Sequence, residues 1–286
     1  MKKLFTLMFT VLMALTAVFG LTACNKDKLT GFDIELAREV VAYLNEEYDT
    51  NIKIEFQEID WNSKEALLEN GTIDLVWNGM TITAERSLEM CISVPYLYNK
   101  QVAVVRAADA SKYDDFSLAS VASFLTATFG AEAGSAGEDV IKGFEILGAE
   151  YISSPSQLDA LTSLDSGNID IAIIDSVMAG YYTSQGTYKD KLVMLDSELA
   201  TESYGIAAKK GNFALVSKIN QALIALRTTA YADVAADFGL TSSIALTENT
   251  VDPYKALATD DSWTNVVASK KLVIGYTVFA PIAYSK

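Results

Sequence analysis

Two α/β lobes are what the sequence predicts, and three observations predict them. Apolar residues switch repeatedly between helical and strand spacing, one helix-to-strand phrase occurs twice, and two strand-like runs bracket the second copy. Half of the 286 residues are apolar and 21% are charged, a globular balance with enough apolar surface for a sizeable core. Domains cluster near about 100–150 residues, so two lobes suit the length better than one.

Taken in chain order, Lys2 and Lys3 precede an uncharged apolar run from Leu4 to Gly20, 17 residues, which ends on Leu21-Thr22-Ala23-Cys24. That is the layout of an export signal over residues 1–23; the run is short for a membrane span and a polar stretch follows. From Asp33, the spacing of Ile34, Leu36, Val40, Val41 and Leu44 predicts a helix capped by Asp33, and Ile52, Ile54 and Phe56 then alternate as a strand. A helix from Ser63 to Glu69 stops at Asn70-Gly71, before a buried strand from Ile73 to Trp77. Gln101 to Arg106 forms the first strand-like crossing. The repeat follows: Leu158, Leu161 and Leu164 run into Gly167-Asn-Ile-Asp-Ile-Ala172, against Gly71-Thr-Ile-Asp-Leu-Val76 in the first copy. A second crossing at Glu202 to Ala208 leads to a helix carrying Leu215, Ile219, Leu223 and Leu226.

Two crossings make the second lobe, residues 106–202, an insertion in the first. The first lobe is then discontinuous, at 24–105, 203–246 and 263–286, and a double connection of this kind is a natural hinge. Polar residues 247–262 read as a linker, after which Lys271 to Phe279 has the pattern of a buried strand.

Composition closes several function classes. The formal charge is −15, or −17 once Lys2 and Lys3 are removed, which repels phosphate backbones and excludes nucleic acid as a partner. There is no histidine, so imidazole catalysis, serine–histidine and cysteine–histidine nucleophiles and histidine-ligated metals are excluded; no cofactor is expected. Leu21-Thr-Ala-Cys24 resembles a bacterial lipobox, which makes Cys24 the lipid-attachment residue and places the rest on the outer face of the cytoplasmic membrane, or in a periplasm. Cys91 is then left without a disulfide partner and reads as a small apolar residue of a strand.

Several blocks together resemble the amino-acid-binding proteins of ABC transporters, solute-binding family 3. They are Lys28-Leu-Thr-Gly-Phe-Asp-Ile-Glu-Leu-Ala37, Ile73-Asp-Leu-Val-Trp-Asn-Gly-Met-Thr-Ile-Thr-Ala-Glu-Arg86, Pro95-Tyr-Leu97, Ala133-Gly-Ser-Ala-Gly-Glu138, Ile169 to Asp175, and Gly275-Tyr-Thr-Val-Phe-Ala-Pro281. The resemblance implies a periplasmic-binding-protein-like type II fold, two α/β lobes joined by a two-stranded hinge. In the family the strand resembling Leu272 to Pro281 comes first, just before the Leu-Thr-Gly-Phe-Asp segment. Here it comes last, which reads as a circular permutation that lets the C-terminus supply the first strand of lobe 1. A truncated tandem copy is the rival account, and self-completion is favoured because the segment supplies the one strand missing from the front.

The resemblance also implies the site. Arg86 corresponds to the residue that forks onto the ligand α-carboxylate, with Thr81 adding a hydroxyl and Gly79 a backbone contact; pairing of Arg86 with Glu85 or Glu89 is the local alternative. Ser135 and Glu138 form a capping box, and the amides of Ser135 and Ala136 are candidates for the second lobe's hold on the carboxylate. Asp175 corresponds to the acceptor of the α-ammonium and is also placed to cap a helix at Ser176. Trp61, Asn78, Tyr276 and Phe279 correspond to the side-chain pocket, for Tyr276 and Phe279 alongside a core role. Basic-amino-acid binders often carry an acid where Tyr276 stands, which favours a polar uncharged ligand such as glutamine. The expectation is a monomeric, non-enzymatic carrier that closes on a free amino acid and delivers it to a permease and its ATPase. The alternatives are a component of an amino-acid-sensing receptor and a dehydratase-like enzyme, for which Asp175 and Glu202 are the available acids.

Overall fold

The computed structural model describes residues 29–113, 121–145, 150–184, 186–196 and 198–285; residues 1–23, read above as an export signal, and Cys24 lie outside them. β1 (Leu29–Thr30) leads through Gly31 into α1 (Phe32–Glu47), followed by β2 (Lys53–Glu58), α2 (Lys64–Glu69), β3 (Leu75–Thr81), α3 (Ala84–Glu89) and β4 (Met90–Ile92). The first crossing is β5 (Leu97–Arg106). Beyond it come α4 (Ala110–Tyr113), α5 (Val121–Leu125), β6 (Thr128–Glu132), α6 (Ala136–Glu145), β7 (Glu150–Ser154), α7 (Gln157–Asp165), β8 (Ile171–Asp175), α8 (Ser176–Ser184) and β9 (Leu192–Met194). The chain returns on β10 (Ala200–Lys209) and continues through α9 (Phe213–Leu226), α10 (Ala230–Asp237), α11 (Ser262–Ser269), β11 (Lys271–Tyr276) and β12 (Tyr284–Ser285).

The main sheet runs β2-β11-β3-β10-β5-β8-β6-β7. Its first-lobe strands β2, β11 and β3 are parallel, as are β8, β6 and β7 in the second lobe. Antiparallel β5 and β10 join the halves, in register from Ala200↔Gln101 to Tyr204↔Leu97. Gln101 to Arg106, read from sequence as the end of lobe 1, pairs with β8 and β9, so the crossing falls near Asn99 instead. Period-2 alternation cannot reveal which neighbour a strand selects; the ladder decides it.

β11 occupies the centre of the first-lobe sheet, with Leu272 and Ile274 buried against α1 and α9 residues such as Leu36, Val40 and Leu215. After β11 the chain folds over the start of α1. Pro281 and Ile282 offer their carbonyls to the Phe32 and Asp33 amides at 2.9 and 3.0 Å, and β12 pairs with β1. These carbonyls satisfy the first N–H groups of the helix, which have no intrahelical partner. Gly31 is required there: its φ is +126°, and a Cβ would lie 2.2 Å from the Ile282 oxygen.

Asp33 does not cap α1; the cap position is Gly31. The Asp33 side chain is buried and accepts from the Gly79 amide and the Tyr96 hydroxyl, each at 2.7 Å. The linker 247–262 packs back on lobe 1: Asp252 accepts from Ser217 and Asn220, and Asp260 accepts from the Ala214 amide at the start of α9. Cys91 is buried in β4, and burial pushes its thiol up to about 12, which makes it inert at neutral pH. No helix among the described residues is long and apolar enough to cross a membrane.

Candidate functional site

In open α/β sheets ligands settle at the carboxyl ends of parallel strands. Here β3 and β11 of one lobe and β6 and β8 of the other aim those ends at one cleft. Lobe 1 lines it with Trp61, Asn78, Gly79, Thr81 and Arg86, lobe 2 with Glu132, Ser135, Ala136, Gln157, Asp175 and Met178, and the C-terminal segment with Thr277, Val278 and Phe279. Every residue expected at the site is present except Tyr276.

Tyr276 shares a strand face with Leu272 and Ile274 and packs edge-on against Phe56, ring centroids 6.4 Å apart. One residue further, alternation turns Thr277 inward, and its hydroxyl accepts from Asn78 Nδ2 at 2.8 Å. The acid-or-tyrosine argument at this position therefore loses its hold on specificity.

Arg86 makes no pair with Glu85 or Glu89. Its fork spans the lobes instead, Nη1 donating to the Thr81 carbonyl and Nη2 to the Gly134 carbonyl, both at 2.9 Å. Five N–H groups leave it donors to spare. Gly79, at φ +61°, brings the backbone against the Phe279 ring, where a Cβ would sit 2.8 Å from Cε1. Because its amide is committed to Asp33, only its carbonyl is left to a ligand.

Across the cleft, Ser135 Oγ accepts from the Glu138 amide at 3.1 Å, while Glu138 reaches Gly134 N at 2.9 Å rather than the cap residue's own amide. Ser135 N turns back to the Glu132 carbonyl at 3.2 Å, so Ala136, first residue of α6, supplies the open helix-start donor. Asp175 does not cap α8. Asn99 Oδ1 takes the Val177 amide and the Ser176 hydroxyl, freeing Asp175 to accept from Asn99, Gln101, Gln157 and Tyr204. Burial, and then the nearby Glu202 carboxylate, hold the Asp175 carboxyl well above the usual range.

Glu132, Gln157, Met178, Thr277 and Val278 went unread in the sequence. Glu132 ends an apolar strand just before Ala133-Gly134, a position at which strand polarity alone would have flagged an acid. Burial pushes its carboxyl up to about 8, opposed by the charge of Lys64. Lys64 is itself buried, over the Trp61 ring at 4.7 Å, and burial lowers it. Among the described residues no cluster of side chains is disposed to hold a metal ion.

Two hinged α/β lobes with an arginine on one wall and a buried acid on the other define a ligand-capturing protein of the periplasmic-binding-protein-like type II fold. The chain belongs to the bacterial extracellular solute-binding proteins, family 3, whose family model matches residues 16–239. It is 29% identical over 210 residues to the probable histidine-binding protein of Neisseria gonorrhoeae, covering 71% of this chain and 72% of that one. To the ABC transporter glutamine-binding protein GlnH of Bacillus subtilis it is 28% identical over 210 residues, covering 73% and 71%. Among solved structures it is similar to an ancestral arginine-binding protein bound to arginine, at 29% identity and TM-score 0.65 over 74% of this chain and 88% of that one. An ancestral arginine-binding protein bound to glutamine is 30% identical with TM-score 0.64, again over 74% and 88%. The protein is a solute-binding protein, not an enzyme.

Proposed function

We propose that the protein captures a free amino acid between its lobes and presents it to an ABC permease with its ATPase, as a monomer held to the outer membrane face by lipid on Cys24. The observation that carries this is the placement of Arg86 and Asp175 on opposite walls of one cleft. A zwitterion carries a carboxylate for the first and an ammonium for the second. The Gly79 carbonyl and the Ala136 amide complete that grip, and Thr81, whose hydroxyl donates to Glu202, holds Arg86 through its carbonyl. Relatives named for histidine, glutamine or arginine binding support the ligand class.

The ligand side chain is read as polar and uncharged, with glutamine favoured. Trp61 and Phe279 supply apolar faces, and the pocket polar atoms are largely acceptors: Asn78 Oδ1 is buried with no partner, and Glu132 lies nearby. An amide NH₂ would satisfy such acceptors, while Lys64 already offsets the Glu132 charge. A second reading, a cationic side chain on Glu132, is favoured by that acid alone. The chain order is read as a circular permutation, since β11 completes its own lobe and β12 lies beside β1.

A thermal-melt screen against the common amino acids tests this. A ligand at about 100 times its Kd adds roughly 2.7 kcal/mol, a rise of about 5–11 °C at this size. Glutamine raising the melt most supports the reading; arginine or histidine doing so selects the cationic one. No shift with any amino acid refutes both.

A further inference from the structure

Asp175 and Glu202 lie on different elements yet are held by the same two amides. Asn99 Nδ2 donates to Asp175 Oδ1 at 2.5 Å and also to Glu202 Oε1, and Gln101 Nε2 donates to the same two oxygens at 2.9 and 2.8 Å. The other Glu202 oxygen accepts the Thr81 hydroxyl at 2.9 Å. Glu202 does not line the cleft, but from crossing strand β10 it reaches Thr81, whose carbonyl holds Arg86, and shares donors with the ammonium acceptor.

Around Asp175, β5 presents Asn99 and Gln101, β10 presents Glu202 and Tyr204, and α7 presents Gln157. The other charged groups of the cleft wall are Arg86, committed to two carbonyls, and Glu132, with Lys64 behind Trp61. Among the described residues neither Asp175 nor Glu202 has a cation within salt-bridge distance. Two carboxyls held by the same donors, Asp175 buried and Glu202 half-buried, with no cation beside either, repel when both are ionised, and a proton on Asp175 removes the conflict.

We propose that Glu202 is a positioning residue whose carboxylate, held on the same two amides, keeps a proton on Asp175 in the ligand-free protein, and that arrival of the ligand ammonium on Asp175 drives that proton out to solvent. The elevated Asp175 carboxyl agrees with this. The inference rests on the amino-acid reading of the cleft. Ligand capture then tightens as pH rises, because the bound state holds fewer protons, by up to about tenfold per pH unit for one full proton. With no histidine in the chain, imidazole titration cannot mimic the effect.

Calorimetric titration of the purified protein with glutamine, then arginine, at pH 7.5 in phosphate and in Tris, tests it. Buffers of different ionisation enthalpy should give different heats, equivalent to about 0.3–1 proton released, and Kd should fall between pH 6 and 8. Glu202→Gln should still bind but with diminished release, because burial of Asp175 remains, and the release should not be lost in Glu132→Gln. Identical heats in both buffers with a flat Kd, or undiminished release in Glu202→Gln, would overturn the proposal. If Glu202→Gln does not fold, the Glu132→Gln comparison decides, since release lost there assigns the proton to Glu132. Binding without release leaves the amino-acid reading standing, while no heat from any probe removes that reading and this inference together.

Discussion

Ile274 is fully buried at the centre of β11, between β2 and β3, so its truncation asks whether the C-terminal strand is integral to lobe 1. Ile274→Ala removes three carbons, about 2.4 kcal/mol of transfer free energy at roughly 0.8 per methylene. A cavity contribution brings the expected loss to about 3.5 kcal/mol, inside the range of about 2–5 for such changes. At about 2–4 °C per kcal/mol, the melting temperature should drop by about 7–14 °C. Deleting residues 271–286 removes the whole ladder with Leu272, Phe279 and Ile282 as well, a loss comparable to the 5–15 kcal/mol that holds a typical domain together. Circular dichroism melts of both variants, without ligand, are the assay. A shift under 1 °C for Ile274→Ala, or a truncated chain that melts like wild type, would refute the central placement and return β11 to a dangling tandem remnant.

Arg86→Ala should abolish amino-acid binding, read as loss of the ligand-induced melt shift, and Arg86→Lys should not restore it, because a point charge cannot bridge the Thr81 and Gly134 carbonyls and also fork a carboxylate. Wild-type affinity in either variant would remove Arg86 from the site. Gly79→Ala forces a Cβ to 2.8 Å from Phe279 at positive φ; a loss of about 1–3 kcal/mol in denaturant unfolding, with weakened binding, is expected. Stability should also fall from mildly acid to mildly alkaline pH. Burial raises Asp33 from 3.8 to about 7 and Glu132 from 4.5 to about 8, so the native state holds more protons than the unfolded chain across that window. The melting temperature at pH 8.5 should therefore lie below that at pH 5.5, and the Asp33→Asn, Glu132→Gln double variant should flatten the slope; a melt that rises with pH contradicts the assignment.

Local patterns carried most of the architecture. Helix spacing around Val40, Leu161 and Leu223, the twice-used Gly-x-Ile-Asp phrase and the buried run from Lys271 place the elements within a few residues of where they form. The errors share a cause. Asp33 looked like a cap because it precedes an apolar stripe, but a carboxylate can equally turn inward when a distant amide, here that of Gly79, lacks a partner. Asp175 looks able to cap α8, a task that Asn99 performs on the Val177 amide from 78 residues away in sequence. The resemblance to the family puts Tyr276 in the pocket, whereas strand parity turns it onto Phe56 and brings in Thr277.

By itself the sequence determined the class of the elements that its periodicity marks, the doubled α/β plan and the absence of histidine chemistry, because these depend on residue type and on spacing within one turn or one pleat. Only the tertiary structure decided that the last strand lies in the middle of the first lobe, that Glu132 and Gln157 face the cleft, and that Glu202 shares donors with Asp175. Those outcomes follow from which strand ends converge and which amides meet across the lobes. Pairings between residues tens to hundreds of positions apart leave no periodic trace in the chain.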